Sequence, residues 1–164
     1  MISKDSVTAT TVVAVDPATA FEVFTDEVDL WWGQGPRFRF RHDDTGVLRF
    51  EGGADGRLVE VFDEATDDVH EVGRVRAWDP AKRLVFEFRA LAFEPGESTE
   101  VEVLFEPVAG GTRVTVEHRG WSSLRDDHPV RHALEGAAFN NMMGVWWGDL
   151  LAAAGRQAAR RQGG

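Results

Sequence analysis

Cysteine and tyrosine are both absent from the 164 residues. Without thiols there is no disulfide framework, no thiolate metal site and no cysteine nucleophile. No apolar run approaches the ~20 residues that cross a bilayer. The opening residues, Met1 to Asp5, are polar and lack the apolar core of a signal peptide, so a cytoplasmic location is expected. Positive charge is scarce: 18 Lys and Arg stand against 28 Asp and Glu, a formal net charge of -10. Such a field repels phosphate backbones, so neither nucleic acid nor a membrane is an expected partner. One stretch argues the other way. Arg37-Phe38-Arg39-Phe40-Arg41-His42 alternates cation with aromatic, as single-strand binding surfaces do. A strand with Phe inward and Arg outward accounts for it more simply, and would leave an arginine rim able to attract an anionic ligand.

What is present suits one domain over residues 1–164, with 43% hydrophobic and 28% charged residues. Thr8 to Val15 alternates as a strand. Asp16-Pro17 then starts a pair of short helices running to Trp32, because Asp caps free N–H groups and Pro needs none. From Arg37 to His118 the apolar period is two. Strands are predicted over Val47 to Gly52, Arg57 to Asp63, His70 to Trp78, Leu84 to Leu91, Thr99 to Pro107 and Thr112 to His118. Asp55-Gly56 and Gly110-Gly111 suit two-residue hairpins, and Asp79-Pro80 and Pro95-Gly96 slightly longer turns, which gives an antiparallel meander. Leu84, Phe86, Phe88 and Ala90 share one face, as do Val101, Val103 and Phe105, so one side is dry and needs a cover.

The cover is the C-terminal stretch from Asp126 to Gly164, read as one long helix entered at Pro129. Phe139, Met142, Met143, Trp146, Leu150 and Ala154 recur at three- and four-residue steps on its inner face. Gly144 and Gly148 each cost about 1 kcal/mol in a helix interior, which predicts close approach of a sheet or a ligand there. The fold class is therefore α+β, a curved antiparallel sheet wrapped around a long C-terminal helix, with two short helices after the first strand.

This order resembles the helix-grip fold of the START-like, Bet v 1-like (SRPBCC) superfamily. Val15-Asp16-Pro17-Ala18-Thr19-Ala20-Phe21 is similar to the opening of the branch named after the activator of Hsp90 ATPase. Gly73-Arg74-Val75, Trp78-Asp79-Pro80, Arg83-Leu84-Val85-Phe86 and Gly111 through Trp121 resemble its central hairpins, although the usual second proline after the central Trp is missing. The resemblance implies an apolar cavity between sheet and helix, a small hydrophobic ligand of lipid or polyketide type, and no shared catalytic set. It leaves a homodimer and a protein partner open. Drug-sequestering resistance proteins, similarly built, share the Trp-Trp ending of the first helices.

Six tryptophans in so small a chain supply both core and walls for a planar ligand. The predicted lining is Trp31, Trp32, Phe40, Phe50, Trp78, Phe88, His118, Trp121, Phe139, Met143, Trp146 and Trp147. His118, inward by parity with Val114 and Val116, is the one weak catalytic candidate, as acid or base of a cyclase- or dehydratase-like enzyme. The motif Gly-x-Ser-x-Gly is absent and no nucleophile accompanies the histidine. His128 and His132 are four apart, a spacing that can place two ligands on a metal, but nothing completes such a site and a solvated helix N-terminus explains them. Asn140 or Asn141 could orient a ligand from mid-helix. No metal and no cofactor are expected. The reading is a non-catalytic binder of an apolar, aromatic or polycyclic molecule, with the enzyme and a co-chaperone-like module as alternatives.

Overall fold

The computed structural model describes residues 6–33, 38–41, 45–89, 93–124, 128 and 136–163. Strand β1 (Ser6–Val13) leads to helix α1 (Pro17–Thr25), where the Asp16 carboxylate accepts the Thr19 N–H at 2.8 Å, the expected cap. Helix α2 (Val28–Trp31) follows, then β2 (Val47–Glu51), β3 (Arg57–Asp63), β4 (Asp68–Asp79), β5 (Arg83–Phe88), β6 (Thr99–Val108) and β7 (Gly111–Arg119). A single 3-10 turn at Trp121–Ser123 precedes helix α3, described over Gly136–Gly163.

The seven strands form one antiparallel sheet in the order β1-β7-β6-β5-β4-β3-β2. Consecutive strands pair because their connections are short, and β1 closes the β7 side. The β6–β7 loop is Ala109-Gly110, one position before the expected Gly110-Gly111; of the two only Gly110 takes positive φ, +85°, the second-position glycine that a type II turn favours. The β2–β3 connection differs from expectation. It spans residues 52–56, because Gly52, Gly53 and Asp55 all take positive φ and extend the turn before Asp55-Gly56 is reached.

Alternation sets the inner face as the sequence predicts. Leu84, Phe86, Phe88, Val101, Val103, Phe105, Val114 and Val116 are buried in one core with Phe139, Met143, Trp147, Leu150 and Ala154 of α3. Helix α3 packs against β1, α1 and α2. On the outer face Arg119 pairs with Glu100 and Glu102, Arg83 with Glu102, and Arg76 with Glu87, a ladder of partly exposed ion pairs. Each such pair adds little to stability, but together they leave that face charged and wet.

Three local expectations are corrected. Residues 38–41 form no strand, and Arg39 points inward with its side chain fully buried while Arg41 is taken up by Asp68 and lies over the Phe62 ring at 3.7 Å. The arginine rim is therefore not formed by Arg39 or Arg41, since both cations are satisfied within the chain; Arg37 lies outside the described residues. His128 is buried beside Glu97, at 3.3 Å, and Phe93, rather than solvated at a helix start. Pro129, His132 and the start of the long helix lie outside the described residues. Gly144 and Gly148 adjoin neither sheet nor core, for a Cβ at either position would have no heavy atom within 4 Å.

That openness predicts a gain. Gly148→Ala should stabilise the protein by about 1 kcal/mol, the helix-propensity difference, read as a higher denaturant midpoint at unchanged slope. The same change at Gly73, whose Cβ would sit 1.8 Å from the Glu87 carbonyl oxygen, should destabilise it.

Candidate functional site: an aromatic core beneath the long helix

The segment from α1 to residue 40 brings Trp31, Trp32, Phe38 and Phe40 over the inner face of β5, opposite α3. Trp32 is the centre. Its ring lies 5.6 Å from Trp31, 6.5 Å from Phe88 in a stacked arrangement, and 5.7 and 5.9 Å from Trp146 and Trp147, both edge-on. Such offset and T-shaped pairs add about 0.5–1.5 kcal/mol each beyond area burial. Phe40 joins through Phe88 at 5.9 Å and stacks on His70 at 4.8 Å. Phe50 and Trp78 form a neighbouring group with Phe21 and Phe86. Trp121 packs between Phe139 at 5.0 Å and His118 at 4.2 Å, and Met143 is buried in the same core. All twelve residues of the predicted lining thus fall in or against one apolar cluster.

Between Trp31, Trp32 and Trp147 on one side and Phe50, Leu84, Phe86 and Val103 on the other lies a cavity of about 10 Å³, room for a single water, with Phe24 and Val28 completing its wall. Of the predicted set, Trp31, Trp32, Phe50 and Trp147 line this space directly. Phe24 and Val28 follow at helical steps, and Leu84, Phe86 and Val103 at strand parity, so the signal for these five was present in the sequence.

The indole N–H groups of the lining tryptophans are spent on the chain itself. Trp31 donates to the Val23 carbonyl at 2.9 Å, Trp32 to that of Phe38 at 2.9 Å, and Trp147 to Nδ1 of His118 at 3.0 Å. This last bond fixes the imidazole tautomer, because an indole can only donate. Nδ1 is the acceptor, so Nε2 carries the proton and donates to Thr99 Oγ1 at 2.7 Å, while that hydroxyl donates to the Phe88 carbonyl at 3.2 Å. His118 itself accepts nothing from solvent, and burial pushes its pKa from 6.5 down to about 3. The histidine is neutral, fully bonded and a bridge from β7 to α3. Of the helix asparagines, Asn141 is exposed and Asn140 half-buried.

A buried polar knot holds the same region from below. Arg39 donates from Nε to the Gly33 carbonyl at 2.8 Å, from Nη2 to the Trp32 carbonyl at 3.0 Å and from Nη1 to the Asp29 carboxylate at 2.9 Å, with Glu60 3.8 Å away. Glu60, also fully buried, accepts the N–H groups of Phe40 at 3.0 Å and Gly46 at 2.8 Å. Among the described residues no group of three or more His, Asp or Glu could hold a metal ion, and no helix is long and apolar enough to cross a membrane.

Sheet, gripped helix and aromatic interior define a helix-grip protein of the SRPBCC-like superfamily. The chain belongs to the family described as activator of Hsp90 ATPase homolog 1-like protein, which residues 14–143 match. Solved structures with the same fold include protein NE0264 from Nitrosomonas europaea, at 14% identity and a TM-score of 0.67 with both chains covered in full. The Aha1 dimer from Colwellia psychrerythraea is 16% identical with a TM-score of 0.59, covering 93% of this chain and 92% of that one. DynU16, a protein in the dynemicin biosynthetic locus, is 18% identical with a TM-score of 0.55, over 94% of this chain and 47% of that one. No significant match was found among curated proteins.

Proposed function

We propose that the protein binds a flat, apolar, aromatic or polycyclic small molecule between the sheet and α3, without converting it. The observation that carries this reading is the apolar cavity walled by Trp31, Trp32 and Trp147, whose indoles present ring faces and edges rather than donors, with Trp146 and Phe88 packed against Trp32 behind it. A ligand there is recognised by shape and π-contact, and hydroxyl-rich molecules are selected against because the lining indoles have no N–H to offer. The cavity's small volume means that the ligand takes space now held by side chains. The locked, neutral His118 supports a binder over an acid–base enzyme, since its proton would have to be traded against two buried hydrogen bonds.

Titration with 1-aminoanthracene, a polycyclic fluorophore, should change tryptophan emission saturably, with a dissociation constant in roughly the micromolar range. A purely linear response up to the solubility limit would remove the reading.

A further inference from the structure

We infer that strand β1 is the seam between two copies of this chain, which pair β1 against β1 about a two-fold axis at Thr10 and join their sheets into one. The sheet order leaves two edges, β2 and β1. Only the first is guarded. β2 is five residues long, carries Arg49 and Glu51, and has its Leu48 N–H taken by the Asp29 carboxylate at 2.9 Å. Shortness, charge and a cover of this kind keep an edge from pairing with another chain. β1 runs eight residues, Ser-Val-Thr-Ala-Thr-Thr-Val-Val, without a charge, a proline or a glycine, and keeps its register against β7 unbroken from Ser6 to Val13. In a chain that is 28% charged, an uncharged edge strand of mostly β-branched residues is a template for one more strand. Helix α3 packs against β1, yet Ala9 and Thr11 stay half-buried on the inner face and Thr8, Thr10 and Val12 exposed on the outer.

The occupant is a second copy because the strand is complementary to itself. About Thr10, Val7 falls opposite Val13 of the second copy, Ala9 opposite Thr11 and Thr8 opposite Val12, so every side chain meets one on its own face of the sheet. Charge selects this register. Within one chain Val12 pairs with Arg113 and Thr8 with Glu117, so each joined outer rung runs Arg113, Val12, then Thr8 and Glu117 of the second copy, cation towards anion. Centring the pair on Ala9 would set Arg113 on a rung with Arg119 instead. Two copies at a net charge of -10 each repel, and an uncharged strand is where their approach costs least.

The absence of cysteine makes the register directly readable. In Thr10→Cys the two thiols face each other at the spacing of an antiparallel pair, within disulfide reach, whereas in Thr8→Cys or Val12→Cys each thiol lies roughly 14 Å from its mate. Mild oxidation should therefore link Thr10→Cys into a covalent dimer severalfold faster than either of the others. Sedimentation of the wild type should show a dimer that dissociates on dilution through the micromolar range. Thr10→Lys, which sets like charges opposite each other at an exposed position, should weaken that dimer about fivefold. Val47→Lys, exposed on the guarded edge, should leave it unchanged. A wild type that sediments as a monomer throughout that range, a dimer indifferent to Thr10→Lys, or equal crosslinking at all three positions would overturn the seam.

Discussion

Replacing Arg39 by alanine should cost about 3–5 kcal/mol of stability, the penalty for removing one partner of a buried ion pair. For a chain of this size that corresponds to a fall of roughly 6–20 °C in thermal midpoint. Two features place the effect at the large end. The Arg39 side chain has no exposure, and its loss takes the donor from the Gly33, Trp32 and Gly46 carbonyls and the cation from the Asp29 carboxylate. Glu60 would also lose the nearest cation, 3.8 Å away, while staying fully buried. Surface arginines provide the contrast: Arg76→Ala breaks the partly exposed pair with Glu87 and should change stability by about 1 kcal/mol or less. Equal losses from the two substitutions in chemical denaturation would contradict the assignment of Arg39 as the knot beneath the aromatic cluster.

His118→Ala should be comparably severe, at about 3–5 kcal/mol, for a different reason. It leaves the buried Trp147 N–H without its acceptor and takes away the bond His118 donates to the Thr99 hydroxyl, and adds a cavity against Trp121. The histidine also gives the protein an acid sensitivity whose sign follows from its pKa. The folded value is near 3 and the ordinary value 6.5, so between these the unfolded chain binds the extra proton. Stability is therefore full above pH 6.5 and is lost as pH falls towards 3, at up to about 1.4 kcal/mol per pH unit from this group. His70, whose pKa burial also lowers, acts in the same direction. His118→Gln cannot titrate, so its stability should vary less steeply over the same window, even though the variant starts lower. Parallel pH profiles for the two proteins would show that the imidazole is not buried in its neutral form.

Why the sheet was legible and the polar knot was not follows from the range of the interactions. Strand alternation is local: Leu84, Phe86 and Phe88, or Val114, Val116 and His118, declare their face within five residues, and the hairpin glycines mark where pairing turns back. The Asp16-Pro17 cap is equally local. Arg39 is the opposite case. Its partners at Asp29 and Glu60 are 10 and 21 positions away, and nothing in Arg-Phe-Arg-Phe-Arg distinguishes the central arginine that goes inward from the one that pairs with Asp68 at the surface. The histidines divide the same way. Parity placed His118 inside, but its bond to Trp147 joins a strand to a helix 29 residues on and has no sequence signature. His128 looked like a helix-start residue because of its neighbours, whereas tertiary packing against Phe93 buries it. The glycines at 144 and 148 misled for a related reason: a propensity cost does not name what offsets it.

The most direct test of the ligand site is a two-dimensional NMR titration of the six indole N–H signals with 1-aminoanthracene. The site described here predicts saturable shifts of the Trp32, Trp146 and Trp147 resonances along one binding curve, with Trp78, which packs in the neighbouring Phe21 and Phe50 group, moving least. Shifts confined to surface amides, or none at any indole while the probe is in excess, would contradict binding between the sheet and the long helix.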